Sequence, residues 1–409
     1  MVRRPCRCHS EPPPLGWPTF RARAADSGVR ITRQTDLPTA LPDGATVYVR
    51  PTGLSTGIAG KALREAGFAR PLAGGPCHVG NCEVWIRTPA RIDVAAAPLR
   101  TVADWLATLP AETAGPLTET VRRLAVERIG PAGQPLRRPL IMGVINATPD
   151  SFSDGGEMQD VAAAVAHGCR LAEAGADILD VGGESVRPGA RPVSLDEERD
   201  RVLPVVEGLA AETPALVSID TRKAGVMRAA LDAGAGMIND VTALTGDPDS
   251  LAVAAGSDAR VVLMHMQGEP ATMNDDPRYA CAPLDIYDFL EARIAACEAA
   301  GIARWRLIVD PGIGFGKRGA HNMEILRMLS LFHGLGCPIL LGVSRKGLTG
   351  AMDRARPPKE RLAGSLAAAI AALDQGVQML RVHDVAETRQ ALDVWEGVVG
   401  AVGDGNAAP

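Results

Sequence analysis

From Leu140 onward, short apolar runs recur at an even pace, and each one ends in a polar group. The runs are Leu140–Ile145, Asp177–Val181, Ala215–Ile219, Met237–Ile238 with its flanks, Arg260–Met264, Leu307–Val309, Ile339–Val343 and Met379–Val382. Between them lie Ala- and Leu-rich stretches with helical spacing, at 160–174, 195–211, 223–233, 248–256, 284–300, 322–334, 361–375 and 385–399. A strand buried on both faces must be a nearly continuous apolar run, and such strands alternate with helices in parallel sheets. Eight strand–helix units in about 270 residues is the usual size of a (β/α)8 TIM barrel. An open, doubly wound sheet is the alternative topology. Aromatics are only 3% of the chain, so Ala, Val, Leu and Ile must fill the core.

The polar groups that close these runs are Asn146, Gly182-Gly183-Glu184, Asp220, Asn239-Asp240, His265, Asp310, Ser344-Arg345-Lys346, and Arg381 with His383-Asp384. In a barrel these strand ends converge on one face, where enzymes of that architecture keep their active sites. Asp384, Asp240 or Ser344 taken singly would read as a cap for the next helix. Helix capping does not account for a charged or amide group at every strand end. The first run, in IMGVINATPDSFSDGG (Ile141–Gly156), breaks after Asn146 into turn-forming residues, so it reads as a strand feeding a mobile loop.

The first third is a separate, smaller α/β pattern over residues 28–129, following an Arg- and Pro-rich leader at 1–27 that reads as disordered. Thr46–Arg50 and Glu83–Arg87 alternate like strands, and Leu99–Leu109 and Leu117–Arg128 have helical spacing. Gly53–Lys61 ends in Gly-Lys like a phosphate loop. However, Ser55 stands where that motif needs its first glycine and Ala62 where it needs Ser or Thr, so a turn followed by a helix is expected. Cys6, Cys8 and His9, and Cys77, His78 and Cys82, cluster without Cys-x-x-Cys spacing and read as ordinary thiols. No motif assigns this accessory domain a role. Gly130–Arg138 reads as a linker, residues 139–400 as the barrel, and 401–409 as a flexible tail.

A formal charge of -5 gives no sign of a general nucleic-acid binder, so an anionic ligand must be met by local basic residues. No apolar run approaches the roughly 20 residues that span a bilayer. The eight cysteines are scattered rather than arranged as a disulfide framework. A cytoplasmic protein is expected.

The motifs IMGVINATPDSFSDGG, DILDVGGESVRPGA, VSIDTRK, MINDV, LMHMQGEPATM, IVDPGIGFGK, LGVSRKG and RVHDV follow one another in this order. Together they make the chain similar to dihydropteroate synthase, from about Pro139 to Val399. The resemblance implies a pterin-binding barrel that joins p-aminobenzoate to 6-hydroxymethyl-7,8-dihydropterin diphosphate, giving 7,8-dihydropteroate and pyrophosphate with Mg2+. It also implies sulfonamides as competitors and a homodimer, formed through the late helices. No nucleic acid or membrane partner is expected.

The residues can be read chemically beside that resemblance. A pterin presents a flat, amidine-like donor edge, which a buried carboxylate accepts as a pair, so Asp310 fits. Asn239 and Asp220 supply further polar contacts, and Lys346 donates to the carbonyl side of the ring. Met264 and Phe315 offer apolar surface to the ring faces. By resemblance these positions and Gly342 line the substrate pocket, and Asn146 is the ligand for magnesium or the diphosphate. Arg187, Arg381 and His383 are implied diphosphate contacts, and Asp220, Lys346, Arg381 and His383 are the implied catalytic set. Ser344 and Arg345 would meet the aminobenzoate carboxylate, at the amino end of the helix that follows. Phe152 and Pro188 would enclose its ring from the loops Ala147–Gly156 and Glu184–Val193.

One position departs from the family pattern. The second loop usually reads ESTRPG, and here Val186 replaces the threonine, losing a hydroxyl whose hydrogen bond is worth roughly 0.5–1.5 kcal/mol net. Activity should survive with altered aminobenzoate affinity. Two other readings compete. One is a methyltetrahydrofolate-dependent methyltransferase barrel, which would not need Arg187, Arg345, Arg381 and His383 together. The other is a non-catalytic pterin-binding paralogue, against which the retained polar set argues.

Overall fold

The computed structural model describes residues 29–147, 157–184, 192–269, 272–273, 275–348 and 356–400. Phe152, Val186, Arg187 and Pro188 lie outside the described residues, as do Cys6, Cys8 and His9.

The leading domain is a five-stranded sheet with three helices. Its strands are β1 (Arg30–Gln34), β2 (Thr46–Ser55), β3 (Arg70–Pro71), β4 (His78–Arg87) and β5 (Arg91–Pro98), and its helices α1 (Gly57–Glu65), α2 (Leu99–Leu106) and α3 (Ala111–Ala125). Sheet order is β1-β5-β4-β2, with β3 on β4. The two expected strands and two expected helices are present. β1, β3 and β5 add to them, and α1 is the helix expected after the turn at Gly53.

Both faces of this sheet are covered, and period-2 alternation decides which residue goes where. Val49, Val84 and Ile86 face α2 and α3, packing with Leu99, Val102 and Leu117. On the other face the register aligns Tyr48 with Trp85 and Trp85 with Val94, and these belong with Ile92 to the main core of the protein.

The eight apolar runs form eight parallel strands: β6 (Leu140–Asn146), β7 (Ile178–Gly182), β8 (Leu216–Asp220), β9 (Met237–Asp240), β10 (Arg260–Met264), β11 (Leu307–Asp310), β12 (Leu340–Leu341) and β13 (Met379–Val382). Their order is β11-β10-β9-β8-β7-β6-β13-β12, and a parallel Val309–Ile339 bridge joins the two ends into a barrel. The surrounding helices are α4 (Glu157–Glu173), α5 (Leu195–Glu212), α6 (Ala224–Asp232), α7 (Ser250–Ala255), α8 (Ala282–Ala299), α9 (Gly319–Arg327), α10 (Leu362–Leu373) and α11 (Val385–Val398). Helix α5 starts where its sequence says it should: Ser194 Oγ accepts from the Glu197 N–H at 3.2 Å, and Asp196, Glu197 and Glu198 fill the first turn.

One expected helix is shorter. The pattern at 322–334 divides into α9 and a buried 3-10 turn, Leu329–Leu335. The leading domain accounts for the change. Strand β2 packs along that turn, and Ser330 Oγ donates to Pro51 O at 2.8 Å, so a tertiary contact overrides the local helical pattern.

Alternation within the barrel strands sorts the side chains. Ile141, Leu179, Val181, Ile219, Leu263 and Val309 point out to the helices. Met142, Ile178, Met237, Val262, Ile308, Leu340 and Met379 fill the lower interior, with Leu136 of the linker closing the bottom. Gly130–Arg138 is therefore a packed connection: Gly130 O and Pro131 O accept from Arg260 at 2.7 and 3.2 Å. The same inward parity, continued upward, reaches Asp180, Asp220, Asn239, Asp310 and Arg381.

Candidate active site

The barrel register brings the strand ends to a common height. Asn146 lies opposite Gly182, Gly182 opposite Asp220, and Asp220 opposite Asn239. Met264 lies opposite Asp310 on the other side. Above them opens a cleft of about 1430 Å³, lined by Asn146, Glu184, Asp220, Phe315, Ser344, Arg345, Lys346, Arg381 and His383 among others. Asn239, Met264 and Asp310 sit beneath that lining and are buried. Gly342 is placed where a Cβ would come within 3.8 Å of Lys346 Nζ and 3.9 Å of Arg381 Cβ.

The floor is organised by one guanidinium shared between two carboxylates. Arg381 donates from Nε to Asp180 Oδ2 at 2.7 Å and from Nη2 to Asp220 Oδ2 at 2.6 Å. Asn239 Nδ2 donates to the same Asp180 oxygen at 2.9 Å. Burial raises the Asp220 pKa and nearby Asp180 adds to it, while Arg381 opposes both; the carboxyl is left at about 7. Burial also disfavours the Arg381 charge, but Asp180 and Asp220 outweigh it and raise its pKa above the ordinary arginine value. Arg381 thus ties the two floor acids to one another.

Asp310 is buried, which raises its pKa, and its Oδ1 accepts from the Gly312 N–H at 2.7 Å. Lys346 Nζ lies 4.6 Å from the centre of the Phe315 ring and donates to Ile313 O. Burial lowers its pKa to about 8, against the pull of Asp310. An acceptor, a donor and an aromatic face therefore meet at one wall of the cleft, the set a flat polar heterocycle requires.

Beside them, after the neighbouring strands β12 and β13, Ser344 Oγ accepts from the His383 N–H at 3.1 Å and lies 3.1 Å from His383 Nδ1. Arg345 adopts a left-handed backbone, φ 58°, which costs a non-glycine residue about 1 kcal/mol or more. Three contacts hold it there. Its N–H donates to Ser365 Oγ at 2.8 Å, its O accepts from Arg361 Nη1 at 3.1 Å, and its guanidinium forms a two-pronged pair with Asp384. Residues 349–355, where the helix expected after Arg345 would begin, lie outside the described residues; among the described ones a 3-10 turn at Pro358–Glu360 leads into α10. Lys359 and Arg361 line the cleft beside Arg345 and His383, giving this side a basic rim.

Besides Lys359 and Arg361 of the rim, several participants were not singled out from the sequence. Asp180 interrupts an otherwise apolar strand in DILDVGG, and an acid at the centre of a buried run was the available signal. Lys223 donates to Glu184 at 2.7 Å and to the buried Glu198, while Arg222 reaches Glu184 at 3.2 Å, and these charges hold the Glu184 pKa low despite burial. Lys317, the last residue of GIGFGK, is buried at the cleft edge. Among the described residues no cluster of three or more His, Cys, Asp or Glu side chains could hold a metal, and no helix is long and apolar enough to cross a membrane. Cys77 turns away from any such cluster, toward Leu373 O.

Comparison with known proteins agrees with this geometry. Residues 142–383 match the family described as pterin binding enzyme. The dihydropteroate synthase of Escherichia coli (strain K12) is 46% identical over 266 residues, covering 65% of this chain and 94% of that protein. The dihydropteroate synthase of Haemophilus influenzae is 44% identical over 264 residues, 64% of this chain and 95% of that protein. Among solved structures, Xanthomonas albilineans dihydropteroate synthase with 4-aminobenzoic acid aligns with TM-score 0.62 at 49% identity, over 69% of this chain and 99% of that one. The Yersinia pestis enzyme in a sulfonamide drug complex aligns with TM-score 0.61 at 46% identity, over 65% and 96%. The chain belongs to the pterin binding enzyme family and, within it, to the dihydropteroate synthases.

Proposed function

We propose that the barrel cleft binds 6-hydroxymethyl-7,8-dihydropterin diphosphate against its acidic floor and p-aminobenzoate toward its rim, and joins them into 7,8-dihydropteroate. The observation that carries this reading is the paired polarity of one cleft. The half-buried Asp220 and the buried Asp310 sit below, and Arg345, Lys359, Arg361 and His383 sit above. A pterin edge suits the first group and a diphosphate or carboxylate the second. Xanthomonas albilineans dihydropteroate synthase is known in complex with 7,8-dihydropteroate, at 47% identity to this chain.

In the reaction the methylene carbon loses its bond to the diphosphate oxygen and gains one to the aminobenzoate nitrogen, which gives up a proton. Ionised Asp220, held by Arg381, steadies the positive charge that develops on the pterin as the leaving group departs. Arg381, Arg187 and His383 receive the diphosphate, and Lys346 and Phe315 hold the ring. Ser344 keeps His383 oriented. Asn146, at the exposed mouth of β6, offers an amide oxygen to a hard cation. Mg2+ binds through one or two protein oxygens plus substrate phosphate and water, so this residue fits it. When bound, the metal supplies neutralisation of the leaving diphosphate charge.

We further infer a homodimer through the late helices. Helix α10 carries no charged residue, and its Ala363, Gly364, Ala367 and Ala371 are exposed, as are Val394 and Val398 of α11. The free thiols at Cys77, Cys82, Cys169, Cys281, Cys297 and Cys337 support a reducing, cytoplasmic setting. The test is direct. Purified protein with the pterin diphosphate, Mg2+ and p-aminobenzoate should release pyrophosphate only when the aminobenzoate is present. Release independent of the amine, or none at all, would contradict the proposal.

A further inference from the structure

Lys317 has no carboxylate in salt-bridge contact among the described residues, yet its ammonium is buried beside the cleft. Three acceptors surround it: His265 Nδ1 at 2.9 Å, His265 O at 3.1 Å and Phe315 O at 2.9 Å. Burial pushes the Lys317 pKa down while Asp310 pulls it back up, and in the protonated form these three acceptors account for all three N–H donors. Burial and the adjacent Lys317 hold the His265 pKa far down, at about 2, so the ring is neutral and its Nδ1 is free to accept. The acceptors come from two different strand ends. His265 follows β10 and Phe315 lies in the segment that follows β11.

These two segments touch backbone to backbone. A Cβ on Gly312 would fall 1.9 Å from His265 O, and one on Gly316 2.3 Å from Gln267 O; both glycines have φ above +60°. Only glycine fits there. Outer contacts clamp the same segment, with Tyr279 donating to Gly316 O at 2.7 Å and Asn322 Oδ1 accepting from the Gly314 N–H at 2.8 Å. The tightened segment carries the Phe315 ring under Lys346 Nζ and presents Ile313 O to the same ammonium.

We propose that Lys317 is a positioning residue for the pterin subsite. Its ammonium ties His265 to the Phe315 carbonyl, which fixes the Phe315 ring and the Lys346 ammonium at the distance a bound pterin needs. This deepens the reading above and rests on it. Lys317 touches no reacting atom in this account. Its effect should appear in pterin affinity and not in the handling of the amine.

The test uses the full-length protein, with direct binding of the pterin diphosphate measured by calorimetry beside steady-state kinetics and thermal melting. Lys317→Met keeps the aliphatic stem and removes the three donors. It should raise the pterin Kd and KM tenfold or more while changing the aminobenzoate KM less than threefold. His265→Leu removes the ring acceptor and should shift pterin affinity the same way. His265→Asn places an amide oxygen near the Nδ1 position and should restore affinity to within threefold of wild type. If Lys317→Met fails to fold, the His265 pair decides alone. A Leu variant binding pterin as wild type does, or variants that lower Tm without moving pterin Kd, would overturn the positioning role. Wild type that binds no pterin would instead defeat the functional reading on which the proposal stands.

Discussion

Removing the leading domain should cost this barrel its stability, even though the Escherichia coli and Haemophilus influenzae relatives are matched over 94% and 95% of their length by only 65% and 64% of this chain. The reason lies in the surface beneath. Tyr48 meets Tyr287 of α8 edge to face, with ring centroids 5.6 Å apart, and Tyr287 stacks on Phe332 of the 3-10 turn. Tyr48, Trp85, Ile92 and Val94 are all less than 9% exposed. Burying one such side chain contributes about 1.5–3 kcal/mol, so these four supply roughly 6–12 kcal/mol. That is comparable to the entire net stability of a typical domain, about 5–15 kcal/mol. Polar contacts add to it. Tyr48 donates to Asp288 at 2.8 Å, Arg87 pairs with Asp285 at 3.1 Å, and Arg50 donates to Arg327 O at 2.6 Å. A fragment beginning at Gly130 should aggregate, or melt more than about 10 °C below the whole chain. Circular dichroism and scanning calorimetry, with size-exclusion chromatography, read this directly. A monodisperse fragment melting within a few degrees of the intact protein, with the same kcat/KM, would refute the packing argument.

The remaining predictions concern the junction, the titrating groups and the metal. Arg128 is buried and donates to Val126 O, Arg123 O, His333 O and Cys337 O, neutralising the carbonyl ends of α3 and the 3-10 turn. Arg128→Ala leaves those carbonyls buried and unpaired and should cost about 3 kcal/mol or more, measured by denaturant titration. For pH, Asp220 is raised from 3.8 to about 7. The folded state therefore holds this proton more tightly than the unfolded chain does, and the stability it confers is lost as pH climbs from about 4 to about 7. Asp220→Asn should flatten that window. Because ionised Asp220 and protonated Lys346 are both required, kcat/KM for the pterin diphosphate should be bell-shaped, with limbs near 7 and near 8; a flat profile across that range would count against the assignment. Asn146→Ala should raise the Mg2+ concentration that half-saturates turnover, and chelation of Mg2+ should abolish turnover in the unaltered protein.

The barrel was legible because burial on both faces forces each strand to be a continuous apolar run, and a run of this kind announces itself. β9 needed its flanks, since only Met237 and Ile238 are apolar; the strand continues through Asn239, which faces the site, and Asp240, whose carboxylate accepts from the Thr242 and Leu244 N–H groups of the following turn. Strand ends were legible for the same reason: polarity there interrupts a clear pattern. Asp180 was missed because it lies inside a run, where the eye reads core. The leading domain was half legible. β5, RIDVAAAP, has small residues and an acid where a strand usually shows branched side chains, and Asp93 is accommodated by Arg91 and Gln34, which the sequence does not place. The division of α9 from the 3-10 turn was invisible locally, because β2 imposes it from far away in the chain.

The central claim is that the floor carboxylates and the basic rim of one cleft act together on a pterin diphosphate and an aromatic amine. Its most direct measurement is product formation from ring-labelled p-aminobenzoate, the pterin diphosphate and Mg2+, with pyrophosphate counted in parallel. The account predicts labelled 7,8-dihydropteroate and pyrophosphate in equal amounts, with both lost in Asp220→Ala. Equal product from the Asp220→Ala protein, or pyrophosphate released without labelled pteroate, would contradict it.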